Sequence, residues 1–276
     1  MQPLPWAAAT ATRVRRPLVS HLHGMTGCSH QVVNALLGRR PHSVLAVSAF
    51  LRDELVAGGF PAGRVEVVHN GIDPDAYPLG GAEDRIRARD ALGVDQEAFV
   101  VLFYGRLDPT KGVDVLLDAV SRMRDLGTAV QLLMIGSPPT VEYLRDIRKR
   151  LREPWVTWLP NRPDVITPLH AADVVAAPSE WDEPFGRVVV EAMSTGRPVV
   201  ATAVGGIPEV LTGPFARFLV PRSDSGELAR RLSSLATWRT DEPGLGVDCR
   251  AHVARHFSQV SMADGIEHHL RVAAGT

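Results

Sequence analysis

Short runs of β-branched and apolar residues alternate with longer segments of helical period almost from the start of the chain, the pattern of a parallel sheet covered by helices on both faces. In the first stretch the runs at 18–21, 44–47 and 65–68 predict strands, and the segments near 30–37 and 49–57 predict helices. Gly58 and Gly59 close the second helix, as a left-handed cap does. The turn formers of Asn70-Gly71-Ile72-Asp73-Pro74-Asp75 and Gly80-Gly81 then mark a boundary. Beyond it the alternation restarts, with strands predicted at 99–104, 131–135, 156–159, 174–177, 199–202 and 218–220. A helix over 113–124 places Val113, Leu116, Leu117, Val120 and Met123 on one apolar face. A terminal helix over 261–273 carries Met262, Ile266, Leu270 and Val272 toward a domain surface. The resulting domain map is a partial N-terminal domain over 1–75, a complete α/β domain over 76–258, and a C-terminal helix, 259–276, packing back on a domain surface.

The composition narrows the function. With 276 residues, 45% hydrophobic and 22% charged, and a net charge of −1, the chain reads as a globular protein with no surplus of positive charge to gather phosphate polymers, so nucleic acid is not expected as a partner. Cys28 and Cys249 stand far apart and outside any C-x-x-C pair, which argues against a disulfide framework and fits a reducing, cytoplasmic compartment. No basic leader and no apolar run of bilayer length is visible. Arg13, Arg15 and Arg16 leave open a peripheral contact with the inner face of a membrane, against the simpler reading of a solvated helix end. Of the 30 basic residues only Lys111 and Lys149 are lysines, which draws attention to each.

Two segments carry chemistry. In Tyr104-Gly105-Arg106-Leu107-Asp108-Pro109-Thr110-Lys111-Gly112, a strand ends and a helix begins, so Arg106 and Lys111 fall at the carboxyl edge of the sheet. A planar guanidinium fork beside a compact ammonium suits a diphosphate, while solvated loop cations remain the plainer alternative. Neither G-x-G-x-x-G nor G-x-x-x-x-G-K-[ST] occurs, which removes the usual sequence support for dinucleotide binding or Walker-type hydrolysis. In the second segment Glu183 follows a strand, and Glu191 comes after seven intervening residues. Carboxylates there can accept from vicinal hydroxyls, next to the free N–H groups of a helix starting near Gly186. Alternatively they are surface acids, and Val188 to Val190 also admits a strand that aims Glu191 elsewhere.

GRLDPTKGVDVLLDA followed by EPFGRVVVEAMSTGRPVVATAVGGIPEV resembles the donor-binding domain of retaining GT-B glycosyltransferases of the GT4 family, which use nucleotide-sugar donors. Val47-Ser48-Ala49-Phe50-Leu51 and the run from Arg64 to Asp73 are similar to the end of that family's N-terminal, acceptor-side domain. The fold implied is α/β and GT-B-like, a complete C-terminal Rossmann-like donor domain joined to a partial N-terminal one. The resemblance implies that Arg106 and Lys111 bind the donor diphosphate, that Glu191 holds the ribose hydroxyls, and that Glu183 accepts from hydroxyls of the transferred sugar. It also implies that backbone N–H groups of Phe185, Gly186 and Arg187 touch that sugar, that Asn161 and Arg162 bracket the base, and that His23 faces the donor sugar.

The activity implied is hexosyl transfer from a nucleotide-diphosphate sugar, a UDP-sugar first, to an acceptor hydroxyl with retention, in carbohydrate biosynthesis, with no cofactor and no metal. The acceptor is left open among small molecules, glycans and lipid-linked sugars. The strand and Gly-rich loop that open the family's acceptor domain are not found, so three arrangements are expected: an enzyme whose start lies upstream of Met1, a nucleotide-sugar-binding module without transfer, or a half-enzyme completed by a second chain or a dimer contact.

Overall fold

The computed structural model describes residues 10–11, 13–14, 17–24 and 42–275. The expected helix at 30–37 and Cys28 lie outside the described residues. The chain divides into two compact units, Met1–Asp73 with Phe257–Thr276, and Pro74–His256.

Among the described residues of the first unit, β1 (Leu18–Leu22), β2 (His42–Ala46) and β3 (Val65–Val67) form a parallel sheet in that order. Helix α1 (Ala49–Ala57) follows β2. Its start is fixed by Ser48, whose Oγ accepts from the Leu51 N–H at 3.0 Å, and it buries Leu51 and Leu55. The terminal helix, Gln259–Ala274, packs against β1 and β2. It is tied to this unit where the Ile72 N–H donates to the Phe257 carbonyl at 2.9 Å and the Gln259 N–H to the Ile72 carbonyl at 2.8 Å.

The second unit is built on β4 (Phe99–Tyr104), β5 (Val130–Ile135), β6 (Val156–Leu159), β7 (Val174–Ala177), β8 (Val199–Thr202) and β9 (Leu219–Val220). They form one parallel sheet in the order β6-β5-β4-β7-β8-β9. The connections run outward in both directions from the β4/β7 pair, the arrangement of a doubly wound nucleotide-binding fold. Every residue of β4 is buried, as a strand covered by helices on both faces requires. The covering helices are α2 (Ala82–Leu92), α3 (Val113–Asp125), α4 (Val141–Ile147), α5 (Ile166–Ala171), α6 (Arg187–Ser194), α7 (Ile207–Val210), α8 (Ser225–Ser233), α9 (Trp238–Asp241) and α10 (Leu245–His256). The five apolar residues read on the helix from Val113 are all buried. Residues 188–190 are helical, in α6, and Phe218 ends a short 3₁₀ segment ahead of β9. No helix among the described residues is long and apolar enough to cross a membrane.

The apolar pattern gives no sign of α2, because its inward-facing residues are Ala88 and a fully buried Arg89. The guanidinium reaches across the amino edge of the sheet. Nε donates to the Ala171 carbonyl at 2.9 Å, and Nη1 lies 2.9, 2.9 and 2.8 Å from the carbonyls of Asp95, Gln96 and Ala98. Nη2 donates to Asp173 Oδ2 at 2.6 Å. Asp173 also accepts from the Val100 N–H at 2.8 Å, and from Arg85 and Arg239 at 3.2 Å each. Burial alone would raise the Asp173 pKa, but Arg89, the Val100 amide, Arg239 and Arg85 together bring it below the usual carboxylate value.

Candidate functional site

The strand order reverses between β4 and β7, and the loops leaving their carboxyl ends diverge there to open a crevice. A cavity of about 180 Å³ occupies it, lined from the β4 side by Tyr104, Gly105 and Lys111 and from the β7 side by Ser179, Glu183, Gly186 and Arg187. The loops are bound to each other, the Glu180 N–H donating to the Thr110 carbonyl at 2.8 Å.

Two glycines make this closeness possible. Gly112 has φ +70°, and a Cβ there would lie 1.8 Å from the Pro178 carbonyl oxygen. Gly205, at φ +55°, would bring a Cβ within 2.0 Å of the Glu183 carbonyl oxygen, and the same carbonyl accepts from the Gly206 N–H at 2.7 Å. The backbone carrying Glu183 is thus clamped from β8's following turn.

Within the cavity Lys111 Nζ is ion-paired with Glu183 Oε1, and Ser179 Oγ donates to the same oxygen at 2.6 Å. The ammonium stands 5.3 Å from the centre of the Trp181 ring, within cation–π range. Lysine and glutamate are both largely buried, at 24% and 16% side-chain exposure, so their charges act in a less screened setting than surface pairs do. The pair presents an ammonium and a carboxylate side by side, a positive group for phosphate oxygens and an acceptor for hydroxyls.

Arg106 leaves β4 on the same loop but outside the cavity lining; it is 66% exposed and paired with Asp108 at 3.0 Å. Asp108 is itself buried and accepts from Thr110 Oγ1. Glu191 projects from α6 behind Arg187, at 8% side-chain exposure, and accepts from Arg187 Nε at 2.5 Å. Phe185 is buried, and Gly186, at φ +96°, is the N-cap of α6, makes no side-chain cap bond and lines the cavity.

Asn161 and Arg162 follow β6, two strands along the sheet from β4, where the Asn161 N–H approaches Ser137 Oγ at 3.4 Å and Arg162 pairs with Asp164 at 3.3 Å. His23 lies in the first unit, exposed just beyond β1, its ring 4.5 Å from that of His21. His21 has a lowered pKa, from burial first and then from His23, against the Val68 carbonyl at 3.3 Å. The structure therefore gathers Lys111, Glu183, Gly186 and Arg187 around one cavity and leaves Arg106, Asn161 and Arg162 on its carboxyl-edge surroundings.

Two site residues escape the sequence reading. Tyr77 and Tyr104 both direct hydroxyls at Glu191, at 2.9 Å and 3.0 Å. The available signal was scarcity, since the chain has only three tyrosines. An Asp-x-Asp triplet is also present, Asp73-Pro74-Asp75, where one unit gives way to the other. Among the described residues no group of three or more His, Cys, Asp or Glu side chains is placed to hold a metal ion.

Comparison with known proteins gives a consistent result. The family model for glycosyl transferases group 1 matches residues 84–241, and that for Glycosyltransferase Family 4 matches residues 2–76. A D-inositol 3-phosphate glycosyltransferase of Mycobacterium sp. (strain KMS) is 40% identical over 181 residues, covering 62% of this chain and 39% of that protein. The Mycobacterium marinum protein of the same name is 35% identical over 226 residues, covering 77% of this chain and 46% of that protein. The chain thus spans less than half the length of these relatives. The crystal structure of Anabaena HepE in complex with UDP aligns with a TM-score of 0.89 at 29% identity, covering 98% of this chain and 76% of that one. Sucrose-phosphate synthase from Thermosynechococcus elongatus shares the fold, with a TM-score of 0.74 at 23% identity over 94% of this chain and 68% of that one. The two parallel-sheet units are accordingly of the GT-B type.

Proposed function

The chain belongs to the glycosyl transferases group 1 family, and on that premise we propose that its second unit binds a nucleotide-diphosphate sugar, a UDP-sugar, for transfer of the sugar to an acceptor hydroxyl with retention of configuration. The observation that carries this reading is the Lys111–Glu183 pair, held by Ser179 in the crevice where the strand order reverses. The Anabaena structure solved with UDP supports the choice of base.

In this mechanism the donor diphosphate lies over Lys111, with Arg106 turning from Asp108 to the outer phosphate oxygens. Breaking the C1–O bond develops negative charge on the leaving phosphate, and the two cations brought against it lower the barrier without a metal. Glu183, relieved of part of its pairing with Lys111, accepts from hydroxyls of the sugar, and the amides of Phe185, Gly186 and Arg187 contact the same ring. The acceptor oxygen bonds to C1 on the face the phosphate leaves, and its proton passes to the departing phosphate oxygen. Asn161 and Arg162 bracket the base.

The test is binding and turnover with UDP-, GDP- and ADP-sugars, using D-inositol 3-phosphate, the substrate in the relatives' name, as the first acceptor. Lys111→Ala and Arg106→Ala are each expected to lower transfer, or donor hydrolysis where no acceptor is found, by about a hundredfold. Near-normal turnover in both variants would remove the assigned roles. Binding of UDP-sugar with neither transfer nor hydrolysis would assign this chain a binding function instead.

A further inference from the structure

Glu191 is held more elaborately than a ribose contact alone requires. Oε1 accepts from Tyr77 Oη at 2.9 Å and from Arg187 Nε at 2.5 Å, while Oε2 accepts from Tyr104 Oη at 3.0 Å. The Tyr104 proton is shared with the Val188 carbonyl at 3.1 Å, one turn earlier on α6. A carboxylate offers about four lone-pair sites, so three are engaged and one on Oε2 is left.

The three donors differ in permanence. Tyr104 ends β4 and is buried, and Tyr77 is half-buried in the opening segment of the second unit. Arg187 is 72% exposed and lines the cavity, and its guanidinium interacts with the Tyr77 hydroxyl as well as with Glu191, so of the three donors it is the one that an incoming ligand can displace into solvent. Burial, followed by the neighbouring Glu191 charge, raises the pKa of Tyr104; for Tyr77 burial is again the leading cause, and both hydroxyls stay protonated donors at neutral pH.

We propose that Tyr77 and Tyr104 are positioning residues that lock the Glu191 carboxylate from behind, so that a ribose diol donates into the remaining Oε2 site and the Oε1 site that Arg187 vacates. The pair thereby sets how strongly the site distinguishes a ribonucleotide from its 2′-deoxy counterpart. This inference rests on the donor-site reading above. Without the tyrosines the carboxylate keeps its charge but samples several rotamers, so the diol loses a fixed target while phosphate and base contacts stay as they were.

The experiment measures dissociation constants of UDP and 2′-deoxy-UDP by calorimetry for the parent chain, Tyr77→Phe, Tyr104→Phe and the double variant. The parent is expected to prefer UDP by about tenfold, the scale of one charge-assisted hydrogen bond. Each Phe variant is expected to reduce that preference to about threefold and the double variant to nearly none, with 2′-deoxy-UDP binding changed by less than about twofold. Tyr77→Phe, at the more open position, keeps the test available should Tyr104→Phe fail to fold. A preference unchanged in the variants, or equal weakening of both nucleotides, overturns the inference and leaves the donor reading standing. A parent that binds UDP and 2′-deoxy-UDP equally also overturns the inference alone. A parent that binds neither UDP nor 2′-deoxy-UDP overturns the UDP-donor reading, and the inference with it.

Discussion

Replacing Asp173 with Asn should cost the second unit a large share of its stability, although no apolar contact is lost. The Asp173 side chain is 7% exposed and partners Arg89, which is fully buried, together with Arg85 and Arg239. Asn keeps the shape and one acceptor oxygen but removes the carboxylate that, among the described residues, pairs with all three of these guanidinium groups. Removing one partner of a buried ion pair costs about 3–5 kcal/mol, because the charge left behind stays desolvated. At roughly 2–4 °C per kcal/mol for a domain of this size, the melting temperature should fall by about 6–20 °C. Thermal unfolding followed by far-ultraviolet circular dichroism reads this directly. The sign of the pH dependence follows from the lowered pKa: the carboxylate's contribution is complete above its unfolded value near 3.9 and is lost as pH falls through the lower folded value. The parent should therefore lose stability steeply below about pH 4, and Asp173→Asn less steeply. A variant melting within about 2 °C of the parent at pH 7 would refute the view that this cluster anchors the sheet.

Other expectations follow from the same contacts. Gly112→Ala should both destabilise the chain and weaken UDP binding by about tenfold or more, because its Cβ meets the Pro178 carbonyl at 1.8 Å and only loop displacement relieves it; unchanged binding in calorimetry would contradict the proposed loop closeness. Ser179→Ala removes a 2.6 Å donor to Glu183 and should lower turnover about tenfold with little change in melting temperature. Cys249 is buried and burial raises its thiol pKa well above the usual range, so in a Cys28→Ser background labelling by a thiol-specific chromophore should wait for denaturant.

What the chain disclosed in advance was what periodicity can encode. The parallel strands of the second unit are short apolar runs between turn formers, and the face from Val113 to Met123 repeats at helical spacing, so both were readable. The Lys111 and Glu183 loops were readable because each follows such a strand with Gly and Pro in the turn. Helix α2 was not, since hydrophobicity carries no trace of a helix whose buried residue is an arginine satisfied by four carbonyls and one carboxylate. The tyrosines on Glu191 were hidden for a related reason. Tyr104 counts as one more apolar residue of a buried strand, and Tyr77 stands 114 positions from its acceptor, a separation that no local pattern spans.

The position of Asp173 relative to the crevice has a consequence for how this protein can change over generations. Asp173 bonds to Val100, near the start of β4, whereas Tyr104 ends that strand, so the anchor and the ligand loops are separated by four residues, about 13 Å of extended chain. At that spacing mutational effects on the two ends are expected to add rather than interfere. Lineages can therefore explore new residues in the loops after β4 and β7 while inheriting an unaltered framework from the opposite end of the same strands.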